Sequence, residues 1–243
     1  FIASQIGADV LMEGGNAVDA AVATAFALAV VHPTAGNIGG GGFLVLRLSN
    51  GMTTTYDFRE TAPALAHPGM FLKDGKYDAE LHHNSHVAVG VPGTVAGLYA
   101  AWMDMGSKKI AWNRLVGPAI LLAREGFIVT DGLARSLKSV LPRMQKYPAS
   151  IEQFSRKGEP YEMGDILKQP DLADTLQRIA EEGPRGFYEG KTARLIAKEM
   201  AANGGLITEA DLKAYAPKKR PALVGKYRGY DGISMPPISS GGT

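Results

Sequence analysis

Arg59 is the residue of this chain best placed to bind a charged substrate. It lies in the segment DFRETAP, residues 57–63, at the exit of a predicted β-hairpin. A guanidinium presents paired donors in one plane, and these match a carboxylate or a phosphate in a bidentate manner. The sequence therefore offers Arg59 as a candidate anion-binding residue.

An ion pair within the protein is the competing interpretation of Arg59. Asp57 lies two residues earlier on the same face of a strand, and Glu60 is the next residue. Ion pairs at protein surfaces are common and individually weak. Spacing alone favours a structural pair with Asp57 or Glu60 and leaves anion binding as the alternative.

The hairpin is predicted from two strands and a turn. Residues 43–48 are rich in types that suit a half-buried strand, and residues 52–58 can form the return strand. Asn50 and Gly51 lie between them, and both tolerate the positive φ of a type I′ turn. Because side chains alternate along a strand, Arg59 is predicted to project from the polar face.

Length and composition exclude several classes of protein. Its 243 residues, 45% of them hydrophobic, predict one globular domain over residues 1–243 with no internal boundary. The 26 basic and 24 acidic residues nearly balance, and the sequence contains no block of basic residues. A nucleic-acid partner is therefore not predicted. Cysteine is absent, which excludes disulfides and thiolate nucleophiles. The longest apolar stretch, residues 20–31, is too short to span a bilayer and predicts a buried helix.

Hydrophobic periodicity and capping residues predict a mostly helical chain after the hairpin. A last segment, residues 222–234, has strand character, and Thr208 is expected to cap a short helix. The remaining helices are predicted at residues 2–12, 17–31, 95–105, 112–125, 131–141, 171–182 and 191–203.

Two glycine-rich segments resemble nucleotide-binding loops only in part. The run at residues 39–42 precedes a strand and lacks the G-x-G-x-x-G order, so tight packing of a core helix against the sheet is its predicted use. Residues 190–192, GKT, have Arg185 where a P-loop needs its first glycine. No cofactor is predicted.

Histidines and serines complete the candidate chemistry. His82 and His86 would share one face of a helix and could bind a divalent metal, with His83 nearby, but their polar surroundings favour a solvated loop. Ser239 and Ser240 lie between proline and glycine residues, which predicts a turn. No G-x-S-x-G elbow is present, and no metal site or catalytic residue is predicted.

A series of motifs nevertheless occurs in one order through nearly the whole chain. They occupy residues 13–21, 32–33, 39–43, 57–63, 92–97, 126–129, 187–190, 204–208 and 235–242. In this order they resemble the γ-glutamyltransferases, also called glutathione hydrolases, and among these the secreted bacterial enzymes. This family belongs to the N-terminal-nucleophile hydrolases.

The resemblance implies an α+β fold, the αββα layered sandwich of that superfamily, of which this chain would be the large-subunit portion. It implies a precursor (zymogen) that cleaves itself by autoproteolysis into two subunits that form a heterodimer, in the periplasm or outside the cell. A threonine opens the small subunit and is both nucleophile and, through its α-amino group, general base. It takes a γ-glutamyl group from glutathione or related compounds and passes it to water or an amino acid. Arg59 would bind the α-carboxylate of the substrate.

The resemblance also implies limits. The nucleophile lies well beyond the motif at residues 235–242, and Thr243, which has no free α-amino group, cannot replace it. Independently of the resemblance, Phe1 is not an initiator methionine and the chain begins in a helix-like pattern, so the natural N-terminus is expected to lie before it. The chain alone is therefore expected to be inactive. The alternatives are a cephalosporin acylase of the same superfamily, which cleaves a glutaryl group, and a non-catalytic fragment.

Overall fold

The computed structural model describes residues 1–238, in which helices alternate with short strands. The helices are α1 (Ile2–Met12), α2 (Ala17–Val31), α3 (Ala79–Asn84), α4 (Thr94–Met105), α5 (Trp112–Glu125), α6 (Asp131–Met144), α7 (Pro148–Phe154), α8 (Pro170–Glu182), α9 (Arg185–Tyr188), α10 (Gly190–Ala202) and α11 (Glu209–Ala214), with a 3₁₀ turn at His86–Ala88. The strands are β1 (Phe43–Arg47), β2 (Thr53–Asp57), β3 (Leu72–Lys73), β4 (Lys76–Tyr77), β5 (Phe127–Ile128), β6 (Ile166–Leu167), β7 (Lys218–Arg220), β8 (Leu223–Tyr227) and β9 (Tyr230–Ser234).

The chain folds into two compact units, each made of two segments. The first contains Phe1–Asn37 and Gly106–Glu182, and the second contains Ile38–Met105 and the segment that begins at Gly183. Whether both belong to one domain, as the sequence predicts, stays a prediction.

The first unit is a helical core around α2. Asn16 caps this helix: its side chain accepts the Val18 and Asp19 N–H groups at 2.9 and 3.1 Å, while Asp19 accepts the Asn16 N–H at 2.9 Å. Phe26 of α2 is fully buried and meets Trp112 edge-on at 5.5 Å. The prediction of a buried helix at residues 17–31 is confirmed. Across residues 1–238, no helix combines the length and apolarity needed to span a membrane.

The second unit contains a three-stranded antiparallel sheet in the order β1-β2-β7. Strand β2 is central, and the register pairs Phe43 with Asp57 on one side and Asp57 with Lys218 on the other. Residues 54–58 are all buried, so the polar face predicted for this strand is polar in composition but is not exposed to solvent. Two further hairpins, β3–β4 and β8–β9, and helices α9 to α11 complete this unit.

The turn of the first hairpin differs from the sequence-based expectation. Gly51 has a φ of 85°, but Asn50 does not adopt a positive φ, so the type I′ prediction is wrong. The Leu48 N–H donates to the Met52 carbonyl and the Gly51 N–H to that of Leu48, which makes a three-residue loop. Such loops need a left-handed residue only at their last position, and Gly51 supplies it.

Most predicted helices are confirmed, and the errors have simple causes. Helix α6 continues through Pro142 to Met144 rather than ending at residue 141. The solvated loop predicted for the histidines is wrong, because Asp78 caps a short helix, α3, that contains His82 and His83. Strand β7 was not predicted, because its sequence, KKR, has no apolar residue.

Candidate functional site

The loop that carries Arg59 begins at the end of β2, and hydrogen bonds hold its backbone. The Arg59 N–H donates to Asp57 Oδ1 at 3.2 Å, and the Arg59 carbonyl accepts the Tyr215 hydroxyl at 2.9 Å. Two residues later, Thr61 exchanges both backbone hydrogen bonds with Val91, at 3.3 and 2.8 Å. The position of the Arg59 Cα is therefore set by bonds on both sides of it.

Helix α11 holds the far end of the same loop. Asp211 lies in its first turn and accepts the Ala64 N–H at 2.8 Å and the Thr208 N–H and hydroxyl at 2.8 and 2.6 Å. Burial opposes ionisation of Asp211, but these hydrogen bonds outweigh it and lower its pKa. Because the folded-state pKa is lowered, the contribution of Asp211 to stability is present at neutral pH and is lost as the pH falls through that pKa.

Tyr215, the donor to Arg59, is itself fixed by stacking. Its ring lies parallel to that of Tyr188, with an interplanar angle of 5° and centroids 5.7 Å apart. The Tyr188 hydroxyl donates to the Pro92 carbonyl at 2.9 Å. Burial, followed by the charges of Asp57 and Glu60, raises the pKa of Tyr215, so its hydroxyl keeps the proton that it donates.

Glycines allow the chain to pass close to the loop. A Cβ at Gly41 would lie 2.6 Å from the Phe58 carbonyl oxygen, and a Cβ at Gly93 would overlap with that oxygen and with the Tyr215 hydroxyl. The Gly40 carbonyl accepts the N–H groups of Gly93 and Thr94, where α4 begins. Within the glycine run, Gly41 and Gly42 thus pack closely against the exit of β2, and Gly40 bonds to the start of α4.

The carboxylate of Asp57 is paired with an arginine from strand β7. Arg220 Nε and Nη2 donate to Asp57 Oδ2 at 3.1 and 3.0 Å. The Asp57 side chain is 8% exposed and that of Arg220 is 35% exposed. A nearly buried carboxylate thus has its partner, and the partner is not Arg59.

The guanidinium of Arg59 is exposed and available. Its hydrogen bond within the described chain is a long one, 3.4 Å from Nη1 to the Ile238 carbonyl. Within residues 1–238, no carboxylate lies within 4 Å of it, so the ion pair with Asp57 or Glu60 that spacing favoured is not formed. The loop therefore combines a fixed backbone with a cationic side chain that has no anionic partner in this part of the chain.

The other candidate sites have structural partners. The Tyr77 hydroxyl lies 2.8 Å from His82 Nδ1 and 3.2 Å from His83 Nε2, whereas His86 contacts Glu199 at 3.2 Å. No group of three or more potential metal ligands occurs in the described ranges. In the GKT segment, the Thr192 hydroxyl donates to the Gly186 carbonyl at 2.7 Å. Ser239, Ser240 and Thr243 lie outside the described residues.

Sequence reasoning did not identify the residues that support Arg59. Arg220 belongs to the unpredicted strand, and no local pattern relates it to Asp57, which lies 163 residues earlier. Tyr215 likewise has no local signal. The sequence predicts that Thr208 caps a short helix, which is confirmed, and the structure adds Asp211 as its partner in a capping box. Its bond to Ala64 joins positions 147 residues apart and could be seen only in the folded chain.

Comparison with known proteins places these features in a family. The family described as "Gamma-glutamyltranspeptidase" matches residues 3–243. The chain is 53% identical to a glutathione hydrolase proenzyme of Escherichia coli K12 over 245 residues, which cover 99% of this chain and 41% of that protein. The curated relatives to which it is most similar are thus more than twice its length.

Solved structures show the same relationship. The crystal structure of Helicobacter pylori gamma-glutamyltranspeptidase is 49% identical, with a TM-score of 0.96 over 98% of this chain and 68% of the other. A cephalosporin acylase from Bacillus halodurans is more distant, 30% identical with a TM-score of 0.85 over 97% of this chain and 44% of the other. The predicted α+β fold of the N-terminal-nucleophile hydrolase type is confirmed by these similarities.

Proposed function

Because the chain belongs to the gamma-glutamyltranspeptidase family, we propose that it is the large-subunit part of an enzyme that transfers and hydrolyses γ-glutamyl groups. Glutathione is the proposed natural donor, and water or an amino acid is the acceptor. The partner is the small subunit released from the same precursor, and the site of action is the periplasm or the exterior of the cell.

In this proposal, Arg59 binds the α-carboxylate of the γ-glutamyl donor. The single observation that carries it is the exposed Arg59 guanidinium on an anchored backbone, with the neighbouring Asp57 already paired to Arg220. A planar guanidinium matches a carboxylate with two parallel hydrogen bonds. Because the backbone of the loop is already fixed, binding does not have to order it, which lowers the entropic cost of binding.

The chemistry itself is assigned to the small subunit. The hydroxyl of its N-terminal threonine attacks the γ-carbonyl carbon, the amide C–N bond breaks, and the hydroxyl proton reaches the leaving amine through the threonine α-amine. The resulting ester is opened by water or by the amine of an acceptor, which restores the threonine. Arg59 takes no proton in either step and contacts a part of the donor that does not react, so its contribution is to binding.

Arg59→Ala in the full-length, self-processed enzyme tests this role. KM for a γ-glutamyl anilide should rise about 10- to 100-fold, since hydrogen bonds to charged groups contribute about 1.5–3 kcal/mol. Self-cleavage, followed on a denaturing gel, should stay largely intact. Arg59→Lys keeps the charge without the planar pair of donors and should give an intermediate KM.

Two altered donors make the test specific. The 4-aminobutyryl anilide lacks the α-carboxylate, so its KM should be the same in the parent enzyme and in Arg59→Ala. The glutaryl anilide lacks the α-amine, and faster turnover of it than of the γ-glutamyl anilide would favour the acylase alternative. An unchanged KM for the γ-glutamyl anilide in Arg59→Ala would remove Arg59 from the binding site.

A further inference from the structure

We propose that Arg220 is a positioning residue that keeps Arg59 available to the substrate by occupying the carboxylate of Asp57. This inference rests on the proposed function of Arg59. It assigns to strand β7 a role in substrate affinity without any contact with the substrate.

Asp57 is a built-in competitor for Arg59. Its carboxylate is nearly buried and already accepts the Arg59 backbone N–H at 3.2 Å, so it lies beside the residue that must bind an external carboxylate. A buried carboxylate without a partner is strongly unfavourable, and it recruits any cation that can reach it. A substrate carboxylate and Asp57 would then compete for one guanidinium.

The register of β7 prevents this competition. Arg220 lies opposite Thr55, and Lys218 lies opposite Asp57, so Arg220 and Asp57 occupy diagonal positions on one face of the sheet. The Thr55 hydroxyl also donates to the Arg220 carbonyl at 3.1 Å, which secures the backbone of that strand. A long side chain spans such a diagonal, and Arg220 reaches Asp57 Oδ2 with two donors.

Loss of Arg220 would leave Arg59 as a cation within reach of Asp57. The Arg59 side chain is exposed, and its described contact is the long bond to the Ile238 carbonyl, so little opposes its rotation toward Asp57. Once the two residues are paired, the substrate must break that pair before it can bind. The consequence is a higher KM with little change in kcat, because the reacting groups are not affected.

The same strand provides a matched control on its opposite face. Lys219, next to Arg220, pairs with Asp104 at 2.8 Å, and their side chains are 48% and 45% exposed. This pair is also an aspartate with a cation from β7, but its aspartate lies in α4, where it also accepts the Tyr56 hydroxyl at 3.0 Å. A variant at Lys219 therefore measures the general cost of disturbing β7.

The experiment uses three variants of the full-length, self-processed enzyme: Arg220→Met, Lys219→Met and the double variant Asp57→Asn with Arg220→Met. KM for the γ-glutamyl anilide should rise about tenfold in Arg220→Met, with kcat per titrated active site changed less than about threefold. Lys219→Met should change KM less than about twofold. The double variant removes the competing charge, so its KM should fall most of the way back to the parent value.

Several results would overturn the inference. A double variant with a KM as high as that of Arg220→Met would make the role of Arg220 purely structural, as would a KM rise of equal size for the 4-aminobutyryl anilide. If Arg220→Met does not process itself, Arg220→Gln replaces it alone and in the double variant, because an amide can bond to Asp57 without neutralising its charge. An unchanged KM in Arg220→Gln would then contradict the proposal. If Arg59→Ala leaves KM unchanged, the proposed role of Arg59 is wrong and the inference about Arg220 is wrong with it. If Arg59→Ala raises KM but Arg220→Met does not, only the inference about Arg220 is wrong.

Discussion

The second unit contains two hairpins of equal strand length, and strand β2 of the first differs completely in burial from strand β8 of the second. Strands β1 and β2 have five residues each, as do β8 and β9. Four of the five residues of β2 are buried, whereas all five of β8 are exposed. Equal length and equal antiparallel pairing thus do not produce equal environments.

The difference comes from what packs against each hairpin. The first is extended by β7, and its exit is contacted closely by Gly41, Gly93 and Gly97. The second pairs only with itself among the described strands. Because an isolated two-stranded hairpin is marginally stable, only the first can hold a functional side chain in place by its own contacts. The packed hairpin is the one that ends at Arg59.

The turn with the stronger type I′ sequence signal is not the one that forms a two-residue turn. Asn50-Gly51, the stronger type I′ signal, forms a three-residue loop. Arg228 and Gly229 both adopt a positive φ, at 50° and 84°, and make the two-residue turn of the exposed hairpin. The register of the strands, not the turn residues alone, selects the turn.

The largest expected effect on stability is a difference between two substitutions on opposite faces of β7. Arg220→Met removes the two donors that neutralise the buried Asp57, and Arg59 can replace only part of that interaction, so the processed enzyme should lose about 3 kcal/mol, the lower end of the cost of breaking a buried pair. Lys219→Met breaks an exposed pair and should cost less than about 1 kcal/mol. Denaturation midpoints of the two variants measure the difference, and equal losses would show that burial does not distinguish these pairs.

A second prediction concerns a substitution that disturbs the packing of α4 against the exit of the first hairpin. A Cβ at Gly97 would overlap with the Phe58 side chain, so Gly97→Ala should destabilise the processed enzyme by about 2 kcal/mol. Gly132→Ala in α6 is the matched control, because its Cβ would meet no atom within 4 Å. That control should gain up to about 1 kcal/mol in helix propensity. If both changes stabilise, the close approach of α4 to Phe58 is not needed.

The smallest expected effect tests the exposure of the second hairpin. Val224 of β8 is 56% exposed, so the isosteric Val224→Thr should change stability by less than about 0.5 kcal/mol. Val91, which pairs with Thr61, is 1% exposed, and Val91→Thr should cost about 2 kcal/mol. A loss at Val224 as large as that at Val91, measured on the processed enzyme, would mean that another part of the protein covers β8–β9.

Much of the fold was predictable because it depends on short-range patterns. The bounds of α1, α2 and α5 follow from apolar spacing and capping residues, and the α+β class follows from the resemblance of the motifs. The strand KKR was not predictable, since its pairing and not its composition makes it a strand. The histidine segment was missed for a related reason, because a short helix there depends on the single cap Asp78.

The linear order of residues was enough to single out Arg59, to name its family by resemblance and to raise the question of its partner. It answered that question wrongly, because proximity in sequence made Asp57 and Glu60 the obvious partners. The folded chain instead pairs Asp57 with Arg220, from 163 residues away, and hydrogen-bonds the Arg59 carbonyl to Tyr215. A buried charge selects its partner by geometry across a sheet, and that geometry exists only after β7 has paired with β2.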